Sequence, residues 1–296
     1  MKLIYEVQKD NKYDNIKDLL RGHFGISERL LVKLKFNKRI LYNNENTYLN
    51  HELNENDIIE VDLDFDEESD NIVPTKMDLK IVYEDDAMII INKPSGMPVH
   101  PSQNHYEDSL SNGIKYYFNS IGLKRKIRPV NRLDRNTSGL VIFAKNEYIQ
   151  ECLIHEMKND EFKKEYLAIL EGFVENDEGV INAPIARKDA SIIEREVSNS
   201  KLAKEAITKY YVLDRFTAHD KELSLVKFIL KTGRTHQIRV HAKYIGHPIL
   251  GDSLYGNESD LILRHALHAY KIEFVHPISK EKLSFKIGLP EDFKIK

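Results

Sequence analysis

The spacing of apolar residues changes along the chain, and this change predicts its elements. Near the N-terminus, helical spacing predicts helices over Ile16 to Leu20 and over Ser27 to Phe36. Ser27 is placed to cap the second helix, whose leucines share one face. Strands are predicted at 40–45 and 58–61. Two helices followed by short strands predict a small α/β module over residues 1–63.

A polar stretch interrupts the periodic pattern after this module. Residues 64–76 lack periodic apolar positions, and five carboxylates stand between Asp64 and Asp70. Such a composition is typical of a linker. We therefore expect a module at 1–63, an acidic linker at 64–76 and a larger domain at 77–296.

The larger domain is rich in strands. Leu79 to Tyr83 and Met88 to Ile91 predict a hairpin, and helical spacing returns at Glu147 to Met157 and at Gln237 to Ile245. Further strands are predicted at 165–170, 206–213, 223–230, 265–270, 272–275 and 283–287. Because these strands do not alternate regularly with helices, the sequence predicts an α+β fold with a mostly antiparallel mixed sheet.

Composition narrows the possible function classes. Of the 296 residues, 41% are hydrophobic and 31% charged, and the net charge of −3 does not by itself indicate nucleic-acid binding. Cys152 is the sole cysteine, which excludes an internal disulfide and a cysteine-rich metal site. The sequence has no signal-peptide-like start and no apolar run of about 18 residues. We expect a cytoplasmic protein that makes no membrane contact.

Residues 129–146 carry the most chemical information. Asp134 lies between Arg132 and Arg135 in a turn-forming segment, and the apolar run 140–144 follows at once. That run, preceded by a serine–glycine pair, predicts a buried strand. A carboxylate flanked by arginines at the mouth of a buried strand is either a structural ion pair or a catalytic group, and composition alone favours the ion pair.

The order of the residues around Asp134 favours a catalytic group over a structural ion pair. Residues 131–139, Asn-Arg-Leu-Asp-Arg-Asn-Thr-Ser-Gly, resemble the catalytic-aspartate motif of the RluA family of pseudouridine synthases, which most often begins with histidine. Further stretches resemble motifs of the same family in the same order, at 92–100, 164–172, 233–241, 251–256 and 267–269. The resemblance implies an RNA uridine isomerase with a catalytic domain of the pseudouridine synthase type and no cofactor.

The resemblance also implies roles for single residues. Asp134 would be the catalytic carboxylate, acting as nucleophile or base. Arg239 would pair with it and stabilise its charged form. Tyr166 would stack on the target base, and Arg132 would fill the position left by an extruded base. Without the resemblance, Tyr166 would be an ordinary half-buried strand aromatic and Arg239 a surface ion-pair partner. Asn131 replaces the usual histidine and cannot become a cation, so we expect no proton transfer there.

Other basic residues are expected to bind RNA. Arg234 and His236 share a motif with Arg239 and are expected to contact the substrate. A cluster before the aspartate motif is either a phosphate-contact patch or a solvated charge run: Lys124, Arg125, Lys126 and Arg128. The N-terminal module resembles, in degenerate form, an αL-type RNA-binding module. That resemblance implies phosphate contacts by Lys33, Lys38 and Arg39, against the alternative of an ordinary solvated helix face.

The partner and the rival function classes follow from these motifs. The domain order resembles enzymes of large-subunit ribosomal RNA, so ribosomal RNA is the favoured partner, transfer RNA remains open, and a monomer is expected. Six histidines after residue 235 match no compact ligand pattern, so no metal site is expected. One rival is a non-catalytic RNA-binding or ribosome-assembly protein on the same fold. The other is a glycoside hydrolase, which would need a second carboxylate that the motifs lack.

Overall fold

The N-terminal part of the chain forms a small sheet with two helices. A computed structural model describes residues 1–67, 71–159, 161–189 and 191–295. In this part the elements are β1 (Lys2–Glu6), α1 (Ile16–Gly22), α2 (Glu28–Phe36), β2 (Ile40–Tyr42), β3 (Glu45–Asn46) and β4 (Ile58–Asp62). The strands pair in the order β1-β4-β2-β3, all antiparallel. Ser27 caps α2 by accepting a hydrogen bond from the Leu30 backbone N–H, as the sequence predicts.

A ten-stranded sheet dominates the rest of the described chain. Its strands are β5 (Ile81–Glu84), β6 (Met88–Lys93), β7 (Arg128–Pro129), β8 (Ser138–Ala144), β9 (Lys163–Glu171), β10 (Glu178–Asn182), β13 (Ile207–Ala218), β14 (Lys221–Leu230), β15 (Leu267–Val275) and β16 (Lys282–Lys286). A separate pair is formed by β11 (Ile185–Arg187) and β12 (Arg195–Val197). The helices are α3 (Leu110–Ser120), α4 (Glu147–Lys158) and α5 (Gln237–Tyr244), with a final 3₁₀ turn at Glu291–Phe293.

The order of the main sheet is β10-β13-β14-β9-β15-β8-β6-β5, with β16 on β15 and β7 on β8. Among the described strands only β8 and β15 pair in parallel, which confirms the α+β, mostly antiparallel prediction. The two strands predicted at 265–270 and 272–275 are wrong as separate elements. They form the single strand β15, in which a register shift between Ala269 and Lys271 interrupts the alternation.

Strand β8 is buried on both faces and lies between two apolar clusters. Leu140 and Ile142 face a cluster that includes Leu31 of α2, whereas Val141 and Phe143 face a cluster that includes Tyr166. This explains why β8 reads as a continuous apolar run rather than an alternating one. The N-terminal module therefore shares its apolar core with one face of the main sheet.

The acidic segment after the module is docked by ion pairs, not free. Asp64 pairs with Arg125 at 2.9 Å, and Glu67 accepts two hydrogen bonds from Arg128 at 2.7 and 2.9 Å. Lys33 also pairs with Glu67. Burial alone would raise the pKa of Glu67, but the two cations more than offset this, so its pKa is lowered. The predicted acidic linker also contains residues 68–70, which lie outside the described residues.

Candidate active site

Asp134 lies in the turn that leads into β8, and neighbouring side chains fix that turn. The Thr137 backbone N–H donates to the Asp134 carbonyl at 3.1 Å. Asn131 donates to the Leu140 carbonyl at 3.0 Å and accepts from the Ile142 N–H at 2.9 Å. Asn131 thus fastens the turn to β8 through both ends of its amide, a structural role that needs no charge.

A buried lysine holds the same turn from the other side. The Lys93 ammonium donates to the carbonyls of Pro94, Met97 and Arg135 at 2.8, 2.7 and 3.0 Å. Burial lowers its pKa to about 7, and these three carbonyls favour the protonated form. Lys93 thereby ties the loop after β6 to the residue that follows Asp134. Sequence reasoning missed this function, although Lys93 stands in one of the matched motifs.

Close packing between strands also sets the position of the turn. Gly139 has φ of +121°, and a Cβ atom there would lie 2.2 Å from the Ala269 carbonyl oxygen. Only glycine lets β8 approach β15 this closely at the point where the turn ends and β8 begins.

Arg239 connects two carboxylates at this site. It projects from α5 and donates to Asp134 at 3.1 Å, and it forms a bidentate pair with Asp252 at 2.7 and 2.7 Å. Asp252 is 1% exposed. Burial alone would raise the pKa of Asp252, but hydrogen bonds and attraction from Arg239 lower it. The bidentate pair fixes the guanidinium plane, so one N–H remains aimed at Asp134.

His236, the residue immediately before α5, lies beside Asp134. Its backbone is left-handed, with φ of +58°, an uncommon conformation for a residue with a side chain. Its Nδ1 shares a hydrogen bond with the Tyr255 hydroxyl at 2.8 Å, and its Nε2 lies 3.7 Å from the Asp134 carboxylate. Burial lowers the pKa of His236 more than the Asp134 charge raises it. The ring is therefore neutral near pH 7.

Tyr166 faces the same cavity from β9. Burial, and secondarily the charge of Asp134, raises the pKa of Tyr166, so its phenol stays protonated. No residue in the described ranges forms a hydrogen bond with its hydroxyl, which leaves that group available to a bound molecule. The cavity has a volume of about 550 Å³ and is lined by Asp134, Tyr166, Arg239, Arg132, Arg234 and His236, among others.

The cavity therefore brings together six of the residues predicted from the sequence. Among the described residues that line it, Asp134 is the only carboxylate. This composition does not support the glycoside hydrolase alternative, because Asp252 is enclosed in its pair with Arg239. Arg132 is exposed and has no ion pair within the described parts of the chain.

The remaining predicted basic residues lie away from the cavity. Arg125 and Arg128 are buried in ion pairs with the acidic segment, and Lys124 lies 3.9 Å from Asp66. Lys126 is exposed. In the module, Lys38 is exposed, Lys33 pairs with Glu67 and Glu147, and Arg39 pairs with Asp62 at 2.6 Å. The structure thus gives Arg125 and Arg128 an intramolecular partner where the sequence suggested a phosphate patch.

Lys164 is a cavity residue that the sequence reasoning passed over. It lines the cavity, its Nζ would lie 3.6 Å from a Cβ atom at Gly233, and burial lowers its pKa. Within the described residues it has no carboxylate partner; its one polar contact is the Met157 sulfur at 3.9 Å. Its place two residues before Tyr166 on β9 was the available signal, because residues i and i+2 of a strand share a face.

Comparison with known proteins agrees with this geometry. Residues 87–244 match the family described as RNA pseudouridylate synthase. The chain belongs to this family. The RNA pseudouridine synthase YjbO of Bacillus subtilis is 37% identical over 92% of this chain and 94% of its own length. The ribosomal large subunit pseudouridine synthase D of Blochmanniella floridana is 37% identical over 76% of this chain and 73% of its own.

A solved structure gives the same result for the fold. Human RNA pseudouridylate synthase domain containing 1 superposes with a TM-score of 0.60 at 26% identity, covering 71% of this chain and 83% of that protein. These relatives confirm the prediction of an RNA pseudouridine synthase, an isomerase that acts on RNA. No described helix is long and apolar enough to cross a membrane. The described residues contain no group of three or more potential metal ligands.

Two buried histidines of this pseudouridine synthase anchor the turn that carries Asp134. His265 shares a hydrogen bond with the Thr137 hydroxyl at 2.8 Å, and His268 shares one with the Ser138 hydroxyl at 2.8 Å. The other nitrogen of His268 donates to the Gly288 carbonyl at 3.1 Å. Burial lowers the pKa of each histidine to about 4. Both rings are therefore neutral at pH 7.

We expect the fold to lose stability as the pH falls from 6.5 to 4. In this window the unfolded chain binds protons at these histidines and the folded chain does not. The free energy of unfolding therefore rises with pH, and the contribution of the two histidines is fully present above pH 6.5. Each ring contributes up to about 3 kcal/mol to the free energy of unfolding. Urea unfolding across this range measures the loss, which should be smaller in His268→Gln than in the parent. His155→Gln, at an exposed position, is the control. Equal losses in parent and His268→Gln would contradict the assignment.

Proposed function

We propose that this protein converts uridines of ribosomal RNA to pseudouridine, with Asp134 as the catalytic carboxylate. The observation that carries the proposal is the position of Asp134. It is the sole carboxylate among the described residues lining a 550 Å³ cavity, where it lies beside Arg239 and His236. The favoured RNA class is supported by relatives named as large-subunit ribosomal enzymes, which match about three quarters of this chain.

The reaction itself explains the residue types in the cavity. The bond between N1 of uracil and C1′ of ribose breaks, the base turns, and C5 bonds to C1′; a proton leaves C5 and one is bound at N1. No electron or phosphoryl group is transferred. Asp134 acts as nucleophile or base at the reacting sugar or ring. Arg239 holds that carboxylate in place. Tyr166, neutral and with a free hydroxyl, stacks on the base and contacts its edge.

A uridine in a structured RNA must leave its stack to reach Asp134. Extruding a base costs a few kcal/mol in lost stacking and pairing. Arg132 is exposed at the cavity two residues before Asp134 and is free of ion pairs in the described structure. It can therefore enter the space that the base vacates and stack there.

Lys164 is expected to contact a phosphate of the bound RNA. It is a cation at the cavity without a carboxylate partner among the described residues, so RNA supplies the missing negative charge. Lys164→Gln should weaken RNA binding about fivefold and reduce the slope of log K against log salt by roughly one. Filter binding at several salt concentrations measures both. Lys163→Gln, at an exposed position on the same strand, serves as control; an unchanged slope in Lys164→Gln would contradict the phosphate contact.

The N-terminal module contributes a second RNA-binding surface at the end of α2. Lys35 and Lys38 are exposed, and Phe36 between them is 86% exposed. Cations beside an exposed aromatic side chain suit phosphate contact and base stacking. Lys33 and Arg39, in contrast, already pair with carboxylates.

Reversing the charge of these two lysines should weaken RNA binding without slowing chemistry. Lys35→Glu with Lys38→Glu is expected to raise the Kd more than tenfold at low salt, while the single-turnover rate at saturating protein stays within about twofold. Lys9→Glu with Lys12→Glu makes the same charge change at exposed residues of the same module. If both double variants bind alike, the surface at the end of α2 is not specific for RNA.

The experiment that tests the proposed function is direct. The protein is incubated with transcripts of ribosomal and transfer RNA, and pseudouridine is mapped by sequencing. Pseudouridine at defined ribosomal positions is expected. Sedimentation of the free protein is expected to give a monomer. Modification of transfer RNA alone would overturn the ribosomal assignment. Binding without any pseudouridine would revive the non-catalytic alternative.

A further inference from the structure

A second cavity adjoins the first at Asp134. It has a volume of about 350 Å³ and shares three lining residues with the first cavity: Asp134, His236 and Arg239. Its other walls come from the turn at Arg135 and Asn136, from Ile193 and from the segments 251–254 and 263–265. Of these other walls, only Asp252, which pairs with Arg239, and His265, which bonds Thr137, already have a role in the first cavity.

The segments 251–254 and 263–265 of this second cavity are closely packed against each other and against the turn. Gly251 has φ of +73°, and a Cβ atom there would lie 2.4 Å from the Arg264 carbonyl oxygen, so the two segments are in backbone contact. Arg264 is buried, forms a bidentate pair with Asp292 at 2.6 and 2.9 Å, and donates to the Asn136 carbonyl at 3.0 Å. The walls are thus fixed to the catalytic turn itself.

The rim combines apolar surface with positive charge. Leu263 is 97% exposed although both of its neighbours are buried, and Ile193 is 63% exposed. Arg135 is exposed and has no carboxylate partner in the described ranges; its contacts are the Gly96 carbonyl and His105. Ser253 adds an exposed hydroxyl. Single exposed apolar residues are common, but two at one cavity beside a catalytic carboxylate indicate a binding surface.

We propose that this cavity binds the nucleotide next to the target uridine in the same RNA strand. The inference rests on the proposed function. A nucleotide has a flat apolar base face, a polar base edge and a phosphate. Leu263 and Ile193 match the base face, Ser253 matches the edge, and Arg135 matches the phosphate. The two cavities meet at Asp134, so a strand that places its uridine in the first brings its neighbour to the second. The volume lies near the lower end of small-ligand sites, roughly 300–1,000 Å³, and fits one nucleotide.

The second cavity makes Leu263 a contact for the base next to the modified uridine. Leu263→Ala should raise the apparent KM about tenfold on a stem-loop RNA that contains one mapped target uridine. The stability of the variant should match the parent, because the side chain is almost fully exposed. Leu202→Ala is the control, since Leu202 is 85% exposed and lines neither cavity.

A coupling experiment separates this subsite from a general loss of binding. Two further stem-loops carry an abasic nucleotide immediately 5′ or 3′ of the target uridine. In the parent, one abasic RNA should lose about tenfold in kcat/KM, and Leu263→Ala should add less than about twofold to that loss. Full additivity with both RNAs, or no effect of Leu263→Ala on the intact RNA, would overturn the subsite while the proposed function stands. Absence of pseudouridine with the parent would overturn the proposed function and, with it, the subsite.

Discussion

Asp134→Asn is expected to reduce pseudouridine formation by several orders of magnitude while RNA binding is nearly kept. The amide has the size of the carboxylate but no nucleophilic or basic oxygen. No other carboxylate among the described residues that line the first cavity can replace it. Asp252, which lines the second cavity and also bonds Arg239, is 1% exposed and held by that arginine. The loss should therefore appear in the chemical step.

Single-turnover kinetics and RNA binding on the same preparation test this expectation. Folding should survive, because Asp134 is partly exposed and Arg239 keeps its bidentate pair. Asp177→Asn is the matched control, since Asp177 is 83% exposed and lines neither cavity. Residual turnover within about tenfold of the parent, only about 1.4 kcal/mol of barrier, would refute the assignment.

Arg239→Leu should slow turnover about 10²- to 10³-fold, far more than it weakens RNA binding. The variant removes the preorganised donor that holds the Asp134 carboxylate. It also leaves Asp252 buried without its cation, which should destabilise the fold by about 3–5 kcal/mol. Turnover and stability are therefore both expected to fall, and a second variant is needed to separate them.

The double variant Arg239→Leu with Asp252→Asn makes that separation. Neutralising Asp252 removes the uncompensated buried charge, so much of the stability should return while turnover stays low. Urea unfolding, single-turnover rate and RNA affinity are measured on the parent, the single variant and the double variant. Recovery of turnover together with stability would make Arg239 purely structural. Equal losses of rate and affinity in Arg239→Leu would instead make it a phosphate contact.

The helices and strands were largely predictable because their signals are local. Ser27 as a cap, the leucines of α2 and the apolar run of β8 each act within a few residues of their own position. Helix α3 was not predicted, because its segment mixes polar residues with the apolar ones. The capping box at Ser109 and Asn112 was the local signal for the start of this helix. The break in β15 produced two predicted strands, because a register shift disturbs the pattern without ending the strand.

The pairing of charges was not predictable from local sequence. Arg125 and Arg128 stand in a basic run that suggests phosphate binding, yet their partners Asp64 and Glu67 lie about sixty positions earlier. Whether a cation pairs internally or stays free for RNA depends on which distant carboxylate the fold brings within reach. The same reason separates Lys38, which is exposed, from Arg39, which pairs with Asp62.

The sequence by itself determined the residue types of the site and, through motif order, the family. It contained Asp134, Tyr166 and Arg239 as candidates, since motif residues are contiguous and keep their order. The tertiary structure alone decided how they meet: Lys93 and Asn131 hold the turn, Asp252 aims Arg239, and Lys164 lines the cavity. These are contacts between strands and loops far apart in the chain, and their distances depend on sheet register and backbone approach, which no local pattern encodes.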